Sequence, residues 1–424
     1  MIVMRGGQVI LSGIFAGLMM IGACSSSSSS SSSEANTDAA ILSDTTVVVP
    51  SDGASGADAS CPNLPSPTLV DPKTATALSI QGEAKTQLGI YDPSLVYPKG
   101  AAGGVMSYSA VSVNSVSTRV AVSTDLGATF QFAAEPNQVT PVTITTTDRS
   151  VCDGGTCMVD GVLWHEVSSI IADPTDPDPN GAFKVFFHSY ASLDSGNDLR
   201  RDWGYIGMQV AAVPSTWQPE QKLLGWASTA TISTSGVTQT LTDITELRDC
   251  IAFTEPGAIV TARGIDLALS CVSATSPTTA KIRVVLLRST DHAKTFSFVS
   301  TLVASDDFAC LDGAAPEILG ADLFEIAGAE YLVVSPTGPV SNSAAGGYRA
   351  CMTIPLSDAD AGTIARGSNG APNVVSFVAA SDGRFTGPCT YAEGATAIGQ
   401  LVPMQFTDQS QPWFRILRTT LTEP

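Results

Sequence analysis

Two stretches of the sequence repeat one pattern: Ser123-Thr-Asp-Leu-Gly-Ala-Thr-Phe130 and Ser289-Thr-Asp-His-Ala-Lys-Thr-Phe296. Each follows one run of β-forming residues and precedes another, which places it at the turn between two strands. In such a turn the aspartate caps backbone N–H groups, a glycine supplies a positive φ, and the threonine and aromatic ring fix the hairpin on its sheet. The second copy has Ala293 at the glycine position, and a degenerate third copy lies at Ser357–Thr363. The repeat predicts equivalent hairpins in a repeated β architecture.

The rest of the chain agrees with an all-β class. From residue 61 onward helical periodicity is nearly absent, and short alternating or apolar runs recur between Gly, Pro, Asp and Ser residues. The chain has 424 residues, of which 44% are hydrophobic and 14% are charged. It is therefore long enough for a large core and is not a disordered or coiled-coil protein.

A second repeat, independent of the first, consists of an acidic residue just ahead of an apolar pair. It recurs at intervals of roughly 60 to 90 residues, and a turn-rich stretch and a second apolar run follow each copy. Its members are Asp92, Glu166, Glu255, Glu317 and Glu393. Each unit is long enough for four strands and their loops. The spacing predicts a five-bladed β-propeller, or six blades if the long segment between Glu166 and Glu255 contains two.

A propeller would bring these acids together, because the innermost strand of every blade lines a central channel. Crowded carboxylates cannot all ionise freely, so the pKa of some of them rises. A neutral acid beside an ionised carboxylate is what glycoside cleavage requires: one group protonates the leaving oxygen, and the other activates water or attacks the anomeric carbon. We therefore predict a site that acts on carbohydrate, with no cofactor.

Two of the acids lie in segments that resemble those of five-bladed glycosidases of the arabinanase and xylosidase type. The segment Tyr91-Asp92-Pro93 is similar to that of their blade-one aspartate, which implies that Asp92 is a base. The segment Thr254-Glu255-Pro256-Gly257 is similar to that of their blade-three general acid, with Pro and Gly transposed, which implies that Glu255 is the acid. The resemblance implies that Glu166 or Asp173 is the equivalent of their blade-two aspartate.

The repeated turn resembles the Asp-box, or BNR repeat, of sialidases, which implies a six-bladed sialidase-like propeller as the alternative. Sialidase chemistry needs arginines that clamp a carboxylate and a tyrosine nucleophile paired with a glutamate. By position, Arg349 and Arg384 are clamp candidates and Tyr391 is the candidate nucleophile, although the early Phe-Arg-Ile-Pro motif of that family is missing. Two acids of the repeat and the histidine beside Glu166 complete the set of predicted substrate-binding residues. The full set is His165, Glu317, Arg349, Arg384, Tyr391 and Glu393.

An alternative without catalysis stays open. Acids ahead of inner strands also cap turns. In that case the protein would be a propeller of the cell envelope that binds glycan or protein on one of its faces. The Asp- and Pro-rich run from Asp173 to Gly181 superficially resembles a calcium loop, but it lacks the glutamate at the twelfth position. We therefore expect a hairpin turn there and no metal.

The first 23 residues are typical of a targeting segment, with Arg5, an apolar stretch from Val9 to Met20, and small residues before Cys24. Ile21-Gly22-Ala23-Cys24 resembles the bacterial lipobox, which implies cleavage before Cys24 and acylation of its sulfur, so that acyl chains hold the domain on a membrane. Nine consecutive serines then begin a low-complexity tether. We predict a signal peptide at 1–23, a lipid-anchored linker at 24–60 and the propeller at 61–424, located in the bacterial cell envelope on the outer membrane or cell surface.

The number of cysteines and the net charge of the chain indicate which kinds of partner the protein can have. Without Cys24 eight cysteines remain, and an even number in an exported chain favours disulfide bonds. We predict a bond between Cys152 and Cys157, which close a short turn-rich loop, and one between Cys250 and Cys271, which bracket one hairpin. Three histidines and no Cys-x-x-Cys pair argue against zinc. A net charge of −19 disfavours nucleic acid, so the expected partners are a carbohydrate or glycoconjugate and, through the anchor, a membrane.

Overall fold

A computed structural model describes most of the chain beyond residue 63. The described residues are 64–83, 86–98, 101, 103–193, 198–276, 279–311, 318–339, 346–391, 401–406 and 413–419. They form β-strands joined by turns and short 3-10 segments, with no α-helix among them, so the all-β class is confirmed. Within these ranges no helix is long and apolar enough to span a bilayer. The expected signal peptide, Cys24 and the serine linker lie outside the described residues.

Three short strands open the described chain: β1 (Thr68–Val70), β2 (Thr76–Ala77) and β3 (Ile80–Gln81). Each joins a different strand much later in the sequence. β1 runs parallel to Ser376–Ala380, β2 pairs antiparallel with Phe414–Arg418, and β3 runs parallel to Phe130–Ala134. The opening segment therefore ties the C-terminal part of the chain to its first sheet.

Antiparallel sheets follow one another along the chain. Sheet 1 contains β4 (Gly89–Val96), β5 (Gly104–Ser112), β6 (Ser115–Ser123) and β7 (Phe130–Ala134). Sheet 2 contains β8 (Thr140–Thr146), β9 (Cys157–Ala172), β10 (Phe183–Leu193), β11 (Asp198–Ala211), β12 (Gln221–Gly225) and β13 (Gln239–Thr240). Short 3-10 segments link sheet 2 to the next sheet at Thr231–Ser233, Leu241–Asp243 and Thr245–Leu247.

The second half of the chain repeats this plan. Sheet 3 contains β14 (Cys250–Thr261), β15 (Gly264–Ser276), β16 (Thr279–Ser289) and β17 (Ser297–Ala304), and a 3-10 segment follows at Ser305–Leu311. Sheet 4 contains β18 (Ile318–Ile326), β19 (Ala329–Pro339), β20 (Gly346–Tyr348), β21 (Cys351–Asp358), β22 (Thr363–Ile364) and β23 (Ser376–Ala380). The last pair is β24 (Leu401–Gln405) and β25 (Phe414–Arg418), and Phe414 pairs with Gly89 at the start of β4.

The inner strands of successive sheets lie side by side, as in a β-propeller. β4 contacts β9, β9 contacts β14, and β14 contacts β18. Each of them loses register with its neighbour in its own sheet where a residue takes a positive φ: Asp92 at 48°, Val167 at 46°, Glu255 at 57° and Gly320 at 63°. These four bulges are equivalent positions of a repeated unit. The propeller class is confirmed, and the number of blades stays a prediction.

Small residues allow the inner strands to approach closely. The Ile170 N–H donates to Ser94 Oγ at 3.1 Å, and the Ala258 N–H donates to Ser169 Oγ at 2.9 Å. A Cβ on Gly257 would lie 2.3 Å from the carbonyl oxygen of Ala321, so the contact between β14 and β18 requires glycine there. The inner strands are therefore joined through short serine side chains and, at Gly257, by direct backbone contact.

Apolar side chains fill the space between successive sheets. Between sheets 2 and 3 the rings of Phe186 and Phe296 lie 6.5 Å apart, and those of Trp226 and Phe253 lie 5.8 Å apart, all of them buried. Because neighbouring sheets cover both faces of β5, the strand next to the inner strand β4, eight of its nine residues are buried. This is why the strands contain near-continuous apolar and small residues.

The two repeated turns have the same hydrogen bonds. In the turn between β6 and β7, Thr129 donates to Asp125 from its N–H at 2.9 Å and from its hydroxyl at 2.7 Å. In the turn between β16 and β17, Thr295 donates to Asp291 at the same two distances. The degenerate third copy forms a different turn, because the Ser357 hydroxyl donates to carbonyl oxygens of β22. Membership of the two turns in the sialidase repeat stays a prediction.

Three disulfide bonds lie within the described residues. Two are the predicted bonds, Cys152–Cys157 and Cys250–Cys271. The third joins Cys351 on β21 to Cys389, ahead of β24. The second bond links the paired strands β14 and β15, and therefore fixes the strand that carries Glu255.

Candidate active site

Three predicted acids come together on the inner strands of three different sheets. Asp92 lies on β4, Glu166 on β9 and Glu255 on β14, and their exposed fractions are 2%, 3% and 7%. Asp92 and Glu255 occupy the bulge position of their strands, whereas Glu166 precedes the bulge residue Val167. Glu166 raises the pKa of both other carboxyl groups, which shows that the three groups share one electrostatic environment.

Glu255 receives two hydrogen bonds from sheet 4. The Tyr348 hydroxyl donates to its Oε1, and the Gly320 N–H donates to its Oε2. Burial raises the pKa of Glu255 to about 7, while these two donors lower it and the charge of Glu166 raises it. A carboxyl group with this pKa is partly protonated at neutral pH, as a general acid must be.

Asp92 is the least compensated of the three acids. Neither of its carboxylate oxygens has a hydrogen-bond partner among the described residues. Burial raises its pKa well above the ordinary value, and the charges of Glu166 and Glu255 add to the rise. Ser109 and Val167 lower the pKa from nearby, although neither meets the geometry of a hydrogen bond to the carboxylate.

A small cavity lies beside Asp92 near the meeting point of the inner strands. Its volume is about 10 Å³, roughly the space of one water molecule. Its lining includes Asp92, Ser168, Gly320 and Asp322, and the Ser168 hydroxyl is buried without a partner among the described residues. Asp92 and Ser168, whose buried polar atoms lack partners among the described residues, therefore line the same cavity.

Arg201 brings a positive charge to the acids from β11. Its Nε lies 3.7 Å from Glu166 Oε1, and its guanidinium carbon lies 5.4 Å from the centre of the Tyr190 ring. Burial raises the pKa of Glu166, and Arg201 is the largest influence that lowers it. Arg201 also lowers the pKa of Glu255, so this one cation affects two of the three acids.

Further polar groups surround Tyr190 on the neighbouring strands. The rings of His188 and Trp164 lie 4.9 Å and 6.1 Å from the Tyr190 ring. The His188 Nε2 and the Trp164 Nε1 are buried and have no hydrogen-bond partner within the described part of the chain. Burial lowers the pKa of His188 to about 3, with a smaller contribution from Arg201, so its ring is neutral. Unpaired buried donors and acceptors of this kind are suited to the hydroxyl groups of a ligand.

Several predicted site residues lie elsewhere. His165 points to the opposite face of β9, where its Nδ1 lies 2.7 Å from Ser189 Oγ and burial lowers its pKa to about 4. Arg384 pairs with Asp382 and packs over Phe406, with 4.5 Å from its guanidinium carbon to the ring centre. These residues are therefore not part of the cluster of three acids.

The structure describes two of the other sialidase-type candidates, Tyr391 and Arg349. The Tyr391 ring stacks on Phe324 with 4.7 Å between the ring centres. Arg349 directly follows Tyr348, and its N–H donates to the Pro336 carbonyl. Glu317 and Glu393 lie outside the described residues. Among the described arginines, Arg201 forms the ion pair with the acids.

Asp173 does not take the place of the blade-two acid. It follows β9, in the turn before β10, and its Oδ2 accepts hydrogen bonds from Lys184 Nζ at 3.0 Å and from His292 at 2.8 Å. Asp173, Asp176 and His292 lie close enough together to hold a metal ion. The Lys184 ammonium already lies between the two carboxylates, 2.6 Å from Asp176, and supplies the compensating charge. The run from Asp173 to Gly181 is thus a turn stabilised by lysine, and Glu166 is the acid beside Asp92.

Comparisons with protein-family models and with curated proteins find no match. Several solved structures are similar at low identity. The exo-inulinase of Aspergillus awamori is 12% identical, with a TM-score of 0.45 over 82% of this chain and 64% of its own, so the chain spans less than two thirds of that enzyme. The Bacillus subtilis arabinanase is 12% identical, with a TM-score of 0.42 over 81% of this chain and 96% of its own. The catalytic domain of the Coprinopsis cinerea α-L-arabinofuranosidase is 12% identical, with a TM-score of 0.41 over 81% of this chain and 95% of its own. Similarities at this level assign no activity to the chain.

Proposed function

We propose that the protein is a glycoside hydrolase in which Glu255 is the general acid and Asp92 the base. The observation that carries this proposal is the cluster of three buried acids, with Glu255 held by Tyr348 and Gly320 and given a pKa of about 7. In the reaction, Glu255 gives its proton to the leaving oxygen. Asp92 takes a proton from the water that attacks the anomeric carbon, and it must be ionised to do so, so that its raised pKa sets the acidic limit of the reaction.

Glu166 and Arg201 adjust the protonation of this pair. Burial is the main cause of the raised pKa of Glu255, and the charge of Glu166 adds to it, so that Glu255 stays protonated until the leaving group needs the proton. Arg201, 3.7 Å from Glu166, offsets part of this rise because its charge lowers the pKa of Glu166 and of Glu255. The charge of ionised Glu166 raises the pKa of both Asp92 and Glu255.

The charge of the cluster favours a neutral sugar as substrate. A carboxylate-bearing sugar would meet three acids and, beside them, the cation Arg201, which Glu166 already engages. Of the two predicted clamp arginines, Arg384 pairs with Asp382 instead. We therefore place neutral glycosides ahead of sialosides.

The test is an activity screen with aryl glycosides of neutral sugars and with sialosides. Glu255→Gln and Asp92→Asn should each lower the turnover of the cleaved substrate by about a hundredfold or more. Glu246→Gln makes the same chemical change at an exposed position ahead of β14 and should leave turnover unchanged. Turnover that survives both Glu255→Gln and Asp92→Asn would remove these residues from the mechanism.

The burial of the three acids also favours a second candidate, a propeller that binds glycan without cleaving it. Carboxyl groups exposed by only 2 to 7% leave little room for a reacting sugar. The same screen separates the two functions when isothermal calorimetry is added. Sugar binding without turnover of any glycoside would establish the binding protein in place of the hydrolase.

We also propose that acylated Cys24 anchors the protein to the bacterial cell envelope. Support comes from the lipobox-like segment before Cys24 and the run of serines after it. Cys24→Ala should move the protein from the membrane fraction to the soluble fraction, and Ser25→Ala is the matched control. Membrane association that persists in Cys24→Ala would overturn the anchor.

A further inference from the structure

The two donors that hold Glu255 differ in what they can do. The Gly320 N–H can only donate, so Oε2 remains the accepting oxygen whether Glu255 is protonated or ionised. The Tyr348 hydroxyl can donate or accept. Oε1, which faces Tyr348, is therefore the oxygen on which the proton of neutral Glu255 is best accommodated.

We propose that Tyr348 is a positioning residue for the general acid, and that its hydroxyl turns from accepting to donating as Glu255 gives up its proton. This inference rests on the proposed function and extends it to a residue on another sheet. In neutral Glu255 the proton on Oε1 lies next to the Tyr348 oxygen. When that proton passes to the leaving oxygen, the glycosidic C–O bond breaks and the Tyr348 hydroxyl donates to the new carboxylate.

The environment of Tyr348 suits this role. Its exposed fraction is 5%, and its ring packs edge-on against Phe385 with 5.0 Å between the ring centres. Phe385 in turn lies 5.6 Å from the ring of Tyr91, which precedes Asp92. The ring is thus fixed by packing, while rotation of the hydroxyl about its C–O bond needs no movement of the backbone.

Titratable groups from several strands also act on Glu255. Burial raises its pKa, Tyr348 and Gly320 lower it, Glu166 raises it and Arg201 lowers it. On β4, the charge of Glu255 in turn raises the pKa of Tyr91 and Asp92. Among the groups that act on Glu255, Tyr348 has a hydroxyl that can be removed without changing a charge. Its substitution by phenylalanine therefore isolates the hydrogen bond.

The experiment compares Tyr348→Phe with the matched control Tyr331→Phe, which makes the same change on β19 of the same sheet. The pKa of Glu255 is followed through its protonated-carboxyl infrared band, assigned by the loss of that band in Glu255→Gln. Loss of a hydrogen bond to a charged group should raise this pKa by about one unit or more in Tyr348→Phe. Tyr331→Phe should leave it at the wild-type value. An unchanged or lower pKa in Tyr348→Phe would overturn the proposal.

Kinetics then separates positioning from a general loss of structure. A weaker acid protonates a poor leaving group less effectively, whereas a good leaving group needs little protonation. Tyr348→Phe should therefore lower kcat for alkyl glycosides about tenfold more than kcat for nitrophenyl glycosides of the same sugar. An equal loss on both substrates would overturn the positioning role. If the wild-type protein cleaves no glycoside, the proposed function fails, and the infrared titration still decides whether Tyr348 controls Glu255.

Discussion

Arg201 Nε lies 3.7 Å from Glu166 Oε1. This contact joins β11 to the acid on β9, the inner strand of sheet 2. The neighbouring Arg200 pairs with Asp148 at 3.1 Å and with Asp198 at 2.8 Å instead. Two consecutive arginines of β11 therefore serve different acids. Of these two arginines, Arg201 is the one that lowers the pKa of Glu166 and Glu255 on the inner strands.

Arg201→Gln should raise the pKa of Glu166 and Glu255, because the cation lowers both of them against the effect of burial. Since Glu255 must be protonated to act as the acid, the alkaline limb of the pH–rate profile should move to higher pH. The measurement is kcat/KM between pH 5 and 10 on the best neutral glycoside. Arg200→Gln is the matched control, and an alkaline limb that moves equally in both variants would contradict this account.

Glu255→Gln should make the protein more stable at alkaline pH. The folded state raises the pKa of Glu255 from 4.5 to about 7, so the folded protein holds this proton more tightly than the unfolded chain does. The resulting stability is complete below about pH 4.5 and is lost as the pH rises through 7. At pH 8 the free energy of unfolding of Glu255→Gln should therefore exceed that of the wild type by up to about 3 kcal/mol.

Urea unfolding at pH 8 and at pH 4.5 measures this difference, which should shrink at the lower pH. Glu246→Gln, at an exposed position, should match the wild type at both values. A Glu255→Gln variant that is less stable than the wild type at pH 8 would show that the carboxylate stabilises the fold there.

The sequence pattern identifies the strands that carry the site, but it does not identify which residue of each strand lies at the bulge. Asp92 and Glu255 share the bulge position, as the repeat of acids predicts. In sheet 2 the bulge residue is Val167, one position after Glu166, and in sheet 4 it is Gly320, three positions after Glu317. An acid ahead of an apolar pair does not say which residue takes the positive φ, because the contacts with the neighbouring inner strand decide that.

Tyr348 and Arg201 could not be predicted from the sequence. Neither belongs to a repeat, and each reaches its acid through pairing between distant strands: Tyr348 pairs with Thr337 on β19, and Arg201 lies on β11. His165 was predicted from its position beside Glu166, but neighbouring residues of a strand point to opposite faces. Alternation along β9 is the signal that separates these two side chains.

Gly257→Ala should weaken the contact between β14 and β18. A Cβ at this position would lie 2.3 Å from the Ala321 carbonyl oxygen, and backbone atoms cannot move aside as a side chain does. We expect a loss of about 1–3 kcal/mol in the free energy of unfolding, as for other overpacked positions. Gly367→Ala is the control, because its nearest neighbour is the Asn369 side chain at 3.1 Å. Equal urea midpoints for the two variants would contradict the close approach of the inner strands.

The two predicted disulfides should differ in their contribution to stability. Cys250 and Cys271 are separated by 21 residues and Cys152 and Cys157 by five, and a longer loop loses more conformational entropy when it is closed. Replacing Cys250 and Cys271 together by serine should therefore cost about 2–4 kcal/mol. Replacing Cys152 and Cys157 together should cost less.

Both double variants are compared with the wild type by urea unfolding under non-reducing conditions. The Cys250–Cys271 bond also fixes β14 against β15, so its loss should lower glycosidase turnover as well as stability. The Cys152–Cys157 bond closes the turn between β8 and β9 at the first residue of β9, away from Glu166 further along that strand, so its variant should retain turnover. A Cys152–Cys157 variant that is the less stable of the two would show that strand packing, and not loop closure, dominates the effect of these bonds.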